Sequence, residues 1–433
     1  MLNCYLTIVD SVRRIIVVSL LFNFLLLGAC STSKIIRKKV DTLYSSTSDN
    51  HFTGIMLFDP DNKDTIVSYN SAKYFTPASN TKIFTLYTAL KLLPPKVPAF
   101  KYLISKDTLI IVGTGDPSFF HPIFKDSSAF NYIKNFKHLA IYLDNYYDPA
   151  LGPGWAWEDY DLSFSPERNS FPLYGNVVTI FKDPNFGISP DYFSSTVLVR
   201  SNTTNREKSE NIFYFPPERK DTLYIPFITK DSVVLGLLEG IFKKKINHLN
   251  RLPSGKLKTY LGSSRDSLAK EMMQKSDNFL AEQILIMGSS AISDSLSSKK
   301  TINHMLDNYL NNLKQAPRWV DGSGLSRYNL FSPESLVDVL YRMYMEYDEG
   351  RLFNLFAVGG ESGTIKEWYA SSTDPYIYAK TGSLGNNHCL SGYLKTDSGK
   401  ILLFSIMNNH FRQTPSEIKE RMQEFLAFVK VKY

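Results

Sequence analysis

Apolar and polar positions change rhythm several times along this chain, and each change predicts a different kind of structure. Residues 15–27 form a nearly unbroken apolar run behind Arg13 and Arg14, and residues 31–50 are rich in Ser, Thr and Lys. Alternation then takes over: residues 54–58 and 65–69 read as two strands joined by a polar turn. Pro77 and small residues lead into Ile83, Phe84, Tyr87 and Leu90, spaced as one buried face of a helix that starts near Ser79. Between residues 95 and 250 the strand-like runs 108–112, 139–143, 176–181, 195–199 and 221–225 alternate with Pro, Gly and Asn clusters, and helical spacing is sparse. Helical patterning returns at 264–274, 276–287, 301–313 and 333–347. Strands come next at 376–380, 389–395 and 401–407, and an amphipathic helix runs from Pro415 to about Val429.

Two strands and a helix at the start of a domain make sense only if later strands complete the sheet. The expected architecture is therefore α+β: an antiparallel sheet with helices on both faces, built from residues 51–94 and 251–433. Residues 95–250 are expected as an inserted, mainly β region of one or two subdomains. Its aromatic group, Tyr146, Tyr147, Trp155, Trp157 and Tyr160, reads as core packing in preference to a cleft wall.

Composition adds little to this except at the N-terminus. With 43% hydrophobic and 21% charged residues the chain is an ordinary globular protein, long enough for more than one core. The formal charge of +7 is spread over short clusters with no nucleic-acid motif, so nucleic acid is not expected as a partner. Residues 1–29 read as an export signal, because the apolar run is shorter than the ~20 residues of a spanning helix. It ends in Leu27, Gly28, Ala29 and Cys30, similar to a bacterial lipobox; this predicts lipidation of Cys30, a polar tether over residues 30–50 leading to one amphipathic turn, and a membrane anchor. Cys389 is then the only thiol of the mature body, and the histidines are scattered without ligand spacing. No disulfide, metal or cofactor is expected.

The candidate chemistry starts at Ser79 and Lys82, a hydroxyl and an amine one helical turn apart beside unpaired backbone N–H groups. The same spacing recurs at Ser31/Lys34, Ser267/Lys270, Ser297/Lys300 and Ser416/Lys419, where it reads as solvated surface. Ser79 is set apart by two motifs downstream of it and by their order: Ser276, Asp277 and Asn278, then Lys380, Thr381 and Gly382. A buried Lys82 near a second cation, Lys380, could lose its proton and serve as base to Ser79. Ser276 could pass the proton on, Asn278 could hold an amide or Lys82, and Asp277 is structural. The glycine-rich stretch from Asp321 to Ser326 reads as a flexible loop; it comes after no strand and lacks the phosphate-loop form.

These three elements in this order resemble the penicillin-binding proteins and serine β-lactamases. The further stretches Gly115-Asp116-Pro117, Pro153 to Tyr160, Ser276 to Glu282, Asp321 to Arg327 and Lys380 to Ser383 are similar to one branch: low-molecular-mass D-alanyl-D-alanine carboxypeptidases and endopeptidases with a large insertion after the first motif. The resemblance implies cleavage of D-Ala-D-Ala bonds or D-Ala cross-links in peptidoglycan stem peptides through an acyl-enzyme on Ser79, with β-lactams as inhibitors. It implies Lys82 as base, Ser276 and Asn278 completing the site, and Lys380 and Thr381 taking the substrate carboxylate. Gly382 lets substrate backbone lie close, and the amides of Ser79 and Ser383 form the oxyanion hole. A β-lactamase is the nearest alternative, but no Glu-x-x-Leu-Asn segment lies between Ser276 and Lys380. A non-catalytic cell-wall-binding lipoprotein is a second.

Overall fold

A computed structural model describes residues 32–44, 50–182, 185–252 and 254–433. The export signal and Cys30 lie outside the described residues. The central sheet has six strands: β1 (Phe52–Asp59), β2 (Asp64–Tyr69), β3 (Ala357–Val358), β4 (Ile377–Leu384), β5 (Asn387–Lys395) and β6 (Ile401–Asn409). Their order is β3-β4-β5-β6-β1-β2, antiparallel throughout, so both ends of the chain share one sheet.

Alternation along β1 decides what each face holds, since successive side chains point to opposite sides. Ile55 and Leu57 meet α6 (Pro415–Lys432) and the helix α1 over residues 32–44, whose Ile36, Val40 and Tyr44 stand four apart along one face. Residues 32–44 of the stretch expected as a polar tether are thus a docked helix, because those three apolar residues recur with helical spacing. Met56 points the other way, into a cluster with α2 (Lys82–Leu92), α3 (Arg265–Lys275), α4 (Asn278–Ile292) and α5 (Pro333–Glu346).

Helix α2 corrects the expectation of a single buried face: every residue from Lys82 to Leu90 is buried. It lies amid the cluster and not at its edge, so its polar positions must find partners inside. Thr85 Oγ1 donates to Gly322 O (2.7 Å) and Thr88 Oγ1 to Phe84 O (2.9 Å). Ser79 is not in this helix but in the 3₁₀ turn before it, Ala78–Thr81.

The region between the halves has its own core. Its larger sheet runs Ile246–His248, His138–Tyr142, Thr108–Gly113, Lys96–Ser105 and Lys258–Ser264, with parallel pairing among the first three. The last of these strands lies beyond residue 250, where the insertion was expected to end. A second, three-stranded sheet is formed by Leu223–Pro226, Val177–Phe181 and Gly187–Ser189. The region also holds a helix that the sequence pattern does not predict, Asp231–Phe242: Val234, Leu237, Leu238 and Phe242 are its buried face, but Gly236 and Gly240 dilute the signal. Residues 195–199 were expected as a strand; only Val197–Leu198 is one, preceded by a 3₁₀ turn. The helix expected over 301–313 is Ser298–Asn308. The aromatic group is not core: Tyr147 and Trp157 are 68% and 70% exposed, and Tyr146, Trp155 and Tyr160 are only half-buried.

Candidate active site

The site forms where the 3₁₀ turn, the α3–α4 junction and β4 meet. Ala78, just before the serine, has φ of 47°, and Ser276 has φ of 61° at the end of α3. Both are left-handed, a conformation costing a non-glycine residue about 1–2 kcal/mol, which here turns the chain sharply at both serines. The carbonyl of Ala78 is pressed by Gly324 at φ +85°, where a Cβ would stand 1.9 Å from that oxygen. Asp277 caps α4 by accepting Leu280 N–H (2.8 Å), a structural role that leaves Asn278 at the helix start facing the cleft.

Lys82 is fully buried, and its Nζ lies 2.9 Å from Ser79 Oγ, 2.6 Å from Asn278 Oδ1 and 2.7 Å from Ser323 O. Asn278 Nδ2 donates to Phe164 O (2.9 Å), a carbonyl, and this fixes which way the amide faces. Two of the amine's partners are therefore acceptors only. Ser79 alone can be a donor to it. Burial lowers the Lys82 pKa to about 8, against the raising pull of Asp321, Asp277 and Glu282.

On the opposite wall Lys380 Nζ donates to Ser276 Oγ (2.8 Å) and Thr381 O (2.8 Å). Burial, and then Lys82, push its pKa well below the ordinary lysine value. Asn80 ties the serine turn to β4 through Nδ2 to Lys380 O (2.9 Å), and at Gly382 a Cβ would meet Pro77 O at 2.4 Å. Only glycine lets β4 lie this close to the turn. Ser383 is exposed at the rim, its Oγ 2.8 Å from His388 Nδ1, while Thr381 Oγ1 pairs with Thr364 Oγ1 (2.6 Å).

The residues singled out in the sequence thus come together: Ser79, Lys82 and Asn278 on one side, Ser276 with Lys380 and Thr381 on the other. Their supports were not legible there. Glu282 Oε1 accepts the N–H groups of Gly322 (2.9 Å) and Ser323 (2.8 Å), which orients the Ser323 carbonyl toward Lys82. Its other oxygen takes Arg168 of the inserted region at 3.0 Å, both side chains being buried. Burial and Asp321 push the Glu282 carboxyl pKa up, and Arg168 opposes them. Asp321 accepts Trp155 Nε1 (2.9 Å), so the glycine-rich loop is braced from the inserted region twice. The resemblance marks Trp155, Asp321 and Glu282 as matching, but no spacing rule connects them to Arg168.

An antiparallel sheet between helical layers, with a serine turn packed on one strand and a buried lysine beneath, defines the β-lactamase-like transpeptidase fold. The chain belongs to the D-Ala-D-Ala carboxypeptidase 3 (S13) family, whose pattern matches residues 36–208 and 265–429, and is a peptidase. It is 23% identical to the D-alanyl-D-alanine carboxypeptidase DacB of Haemophilus influenzae, over 94% of this chain and 95% of that one. It is 22% identical to penicillin-sensitive carboxypeptidase A of Dictyostelium discoideum, over 82% of each. The crystal structure of penicillin binding protein 4 (dacB) from Haemophilus influenzae superposes with a TM-score of 0.70 at 20% identity, covering 90% of this chain and 98% of that one. The same protein complexed with a novel β-lactam gives a TM-score of 0.64 at 18% identity over the same shares. These structural likenesses are of fold.

Proposed function

We propose that the protein is a serine D-Ala-D-Ala carboxypeptidase and/or endopeptidase of peptidoglycan stem peptides that works through a Ser79 acyl-enzyme and is inhibited by penicillin. One observation carries this: of the three partners around Lys82 Nζ, only the Ser79 hydroxyl can give a proton. A neutral amine donates to Asn278 Oδ1 and Ser323 O and keeps its lone pair for the Ser79 proton.

As that proton moves to Lys82, Ser79 Oγ attacks the carbonyl carbon of the penultimate D-Ala. The amides of Ser79 and Ser383 take the developing oxyanion. The C–N bond then breaks while Ser276, hydrogen-bonded to Lys380, relays a proton to the leaving amine. Water attacks the ester, and the acid leaves with Ser79 restored. Thr381 and Lys380 draw the substrate carboxylate toward the strand, and Gly382 keeps the strand edge clear for its backbone.

The test is incubation of purified protein with benzylpenicillin, then measurement of intact mass. A stable adduct on the wild type, none on Ser79→Ala, and release of D-Ala from a muropeptide pentapeptide only by the former are expected. Rapid drug turnover without an adduct would favour the β-lactamase reading, and no reaction of either kind the non-catalytic one. Cross-linked dimers in the same assay report endopeptidase activity.

Export with lipidation at Cys30 completes the reading, supported by the lipobox-like sequence ending there. The protein is expected in the membrane fraction of its cell, and Cys30→Ala in the soluble envelope fraction; equal partition of the two would remove the anchor from the account. Among the described residues no helix is long and apolar enough to cross a membrane.

A further inference from the structure

The cleft over Ser79 holds one charged side chain that the proposed reaction leaves unused. Its cavity of about 270 Å³ presents the hydroxyls of Ser276, Thr364, Thr381 and Ser383, and among its described lining residues there is no carboxylate. The one charged side chain in that lining is Lys419 of α6. This lysine closes one of the Ser-x-x-Lys pairs that the sequence assigns to solvated surface, yet it is only half exposed and faces the same cavity as the nucleophile.

Lys419 is also held in place. Its Nζ stands 5.2 Å from the centre of the Trp368 ring, a cation over an aromatic face. The segment carrying Trp368 is pinned to the same helix, because Tyr369 N–H donates to Gln423 Oε1 (2.7 Å), and Gln423 lies one turn beyond Lys419 on the same face. No carboxylate among the described residues forms an ion pair with Lys419. Lys380, which also draws the carboxylate, already donates to Ser276 Oγ and to Thr381 O. The other titratable neighbour, His388, is pushed down to about 4 by burial, then by Lys419 and Lys380, so it is uncharged at neutral pH.

A cavity walled by hydroxyls, free of carboxylates and closed by an indole-backed cation is built for an anion. We propose that Lys419 is a specificity-determining residue that binds the free α-carboxylate of the leaving amino acid, so that the enzyme selects stem peptides whose scissile amide precedes an unblocked D-residue. This deepens the acyl-enzyme reading above and rests on it. The hydroxyls of Thr381, Ser383 and Thr364 orient the carboxylate, and Lys419 supplies its counter-charge.

The experiment measures kcat/KM for a diacyl-L-Lys-D-Ala-D-Ala peptide with a free C-terminus and for its C-terminal amide. The wild type is expected to favour the acid. Lys419→Gln is expected to lose about tenfold of that preference, the size of one hydrogen-bonded charge contact, and Lys419→Arg to regain most of it. A structural lesion would lower both substrates together and leave the ratio in place. An unchanged acid-to-amide ratio in Lys419→Gln overturns the inference while the acyl-enzyme reading stands. A wild type that cleaves neither peptide and takes no penicillin adduct overturns both.

Discussion

Replacing Lys82 by methionine should lower the rate constant for acylation by benzylpenicillin about a thousandfold, the upper part of what a positioned base contributes. Methionine fills most of the same buried volume, so the fold should survive; the thermal midpoint is expected to move by only a few degrees. The expectation comes from geometry, since no other described side chain is hydrogen-bonded to Ser79 Oγ. Stopped-flow or quenched mass measurement of adduct formation checks it. A variant that acylates within tenfold of the wild type would mean that the proton leaves Ser79 by another route.

The largest effect on stability is expected at Arg168. Its guanidinium and the Glu282 carboxylate are 1% and 0% exposed and 3.0 Å apart, so removing one partner leaves the other charged and buried. Arg168→Met should cost about 3–5 kcal/mol, as broken buried pairs do. Chemical denaturation of the purified variant measures it. Adding Glu282→Gln should return a large part of the loss, because a neutral amide oxygen still accepts the Gly322 and Ser323 N–H groups without needing a counter-ion. If the double variant is no more stable than the single one, the charge was not the cause. Since those N–H groups set the Ser323 carbonyl against Lys82, the inserted region is mechanically tied to the proposed catalytic centre and is not an appendage.

The sequence carried the sheet's two-ended construction because strands announce themselves by alternation, and β1, β2, β4, β5 and β6 all fall where that alternation lies. It also carried Ser79, Lys82, Ser276, Asn278 and Lys380, whose order along the chain is itself the signal. The features it hid have a common physical cause: partners brought together only by folding. Arg168 and Glu282, or Lys419 and Trp368, leave no periodic trace. Helix Asp231–Phe242 was obscured by Gly236 and Gly240, and α1 by the polar residues around Ile36, Val40 and Tyr44. The exposed Tyr147 and Trp157 misled in the other direction, because aromatic residues are expected inside wherever their surroundings say nothing.

The central claim is that Lys82 works as a neutral amine, and the pH dependence of acylation tests it most directly. A lysine is the proton acceptor only above its pKa, and burial has lowered that of Lys82 to about 8. The second-order rate constant for benzylpenicillin should therefore rise from pH 6 and level off just above pH 8. A rate that is flat across this range, or that still climbs tenfold per unit toward the ordinary lysine value near ~10.4, would contradict the account.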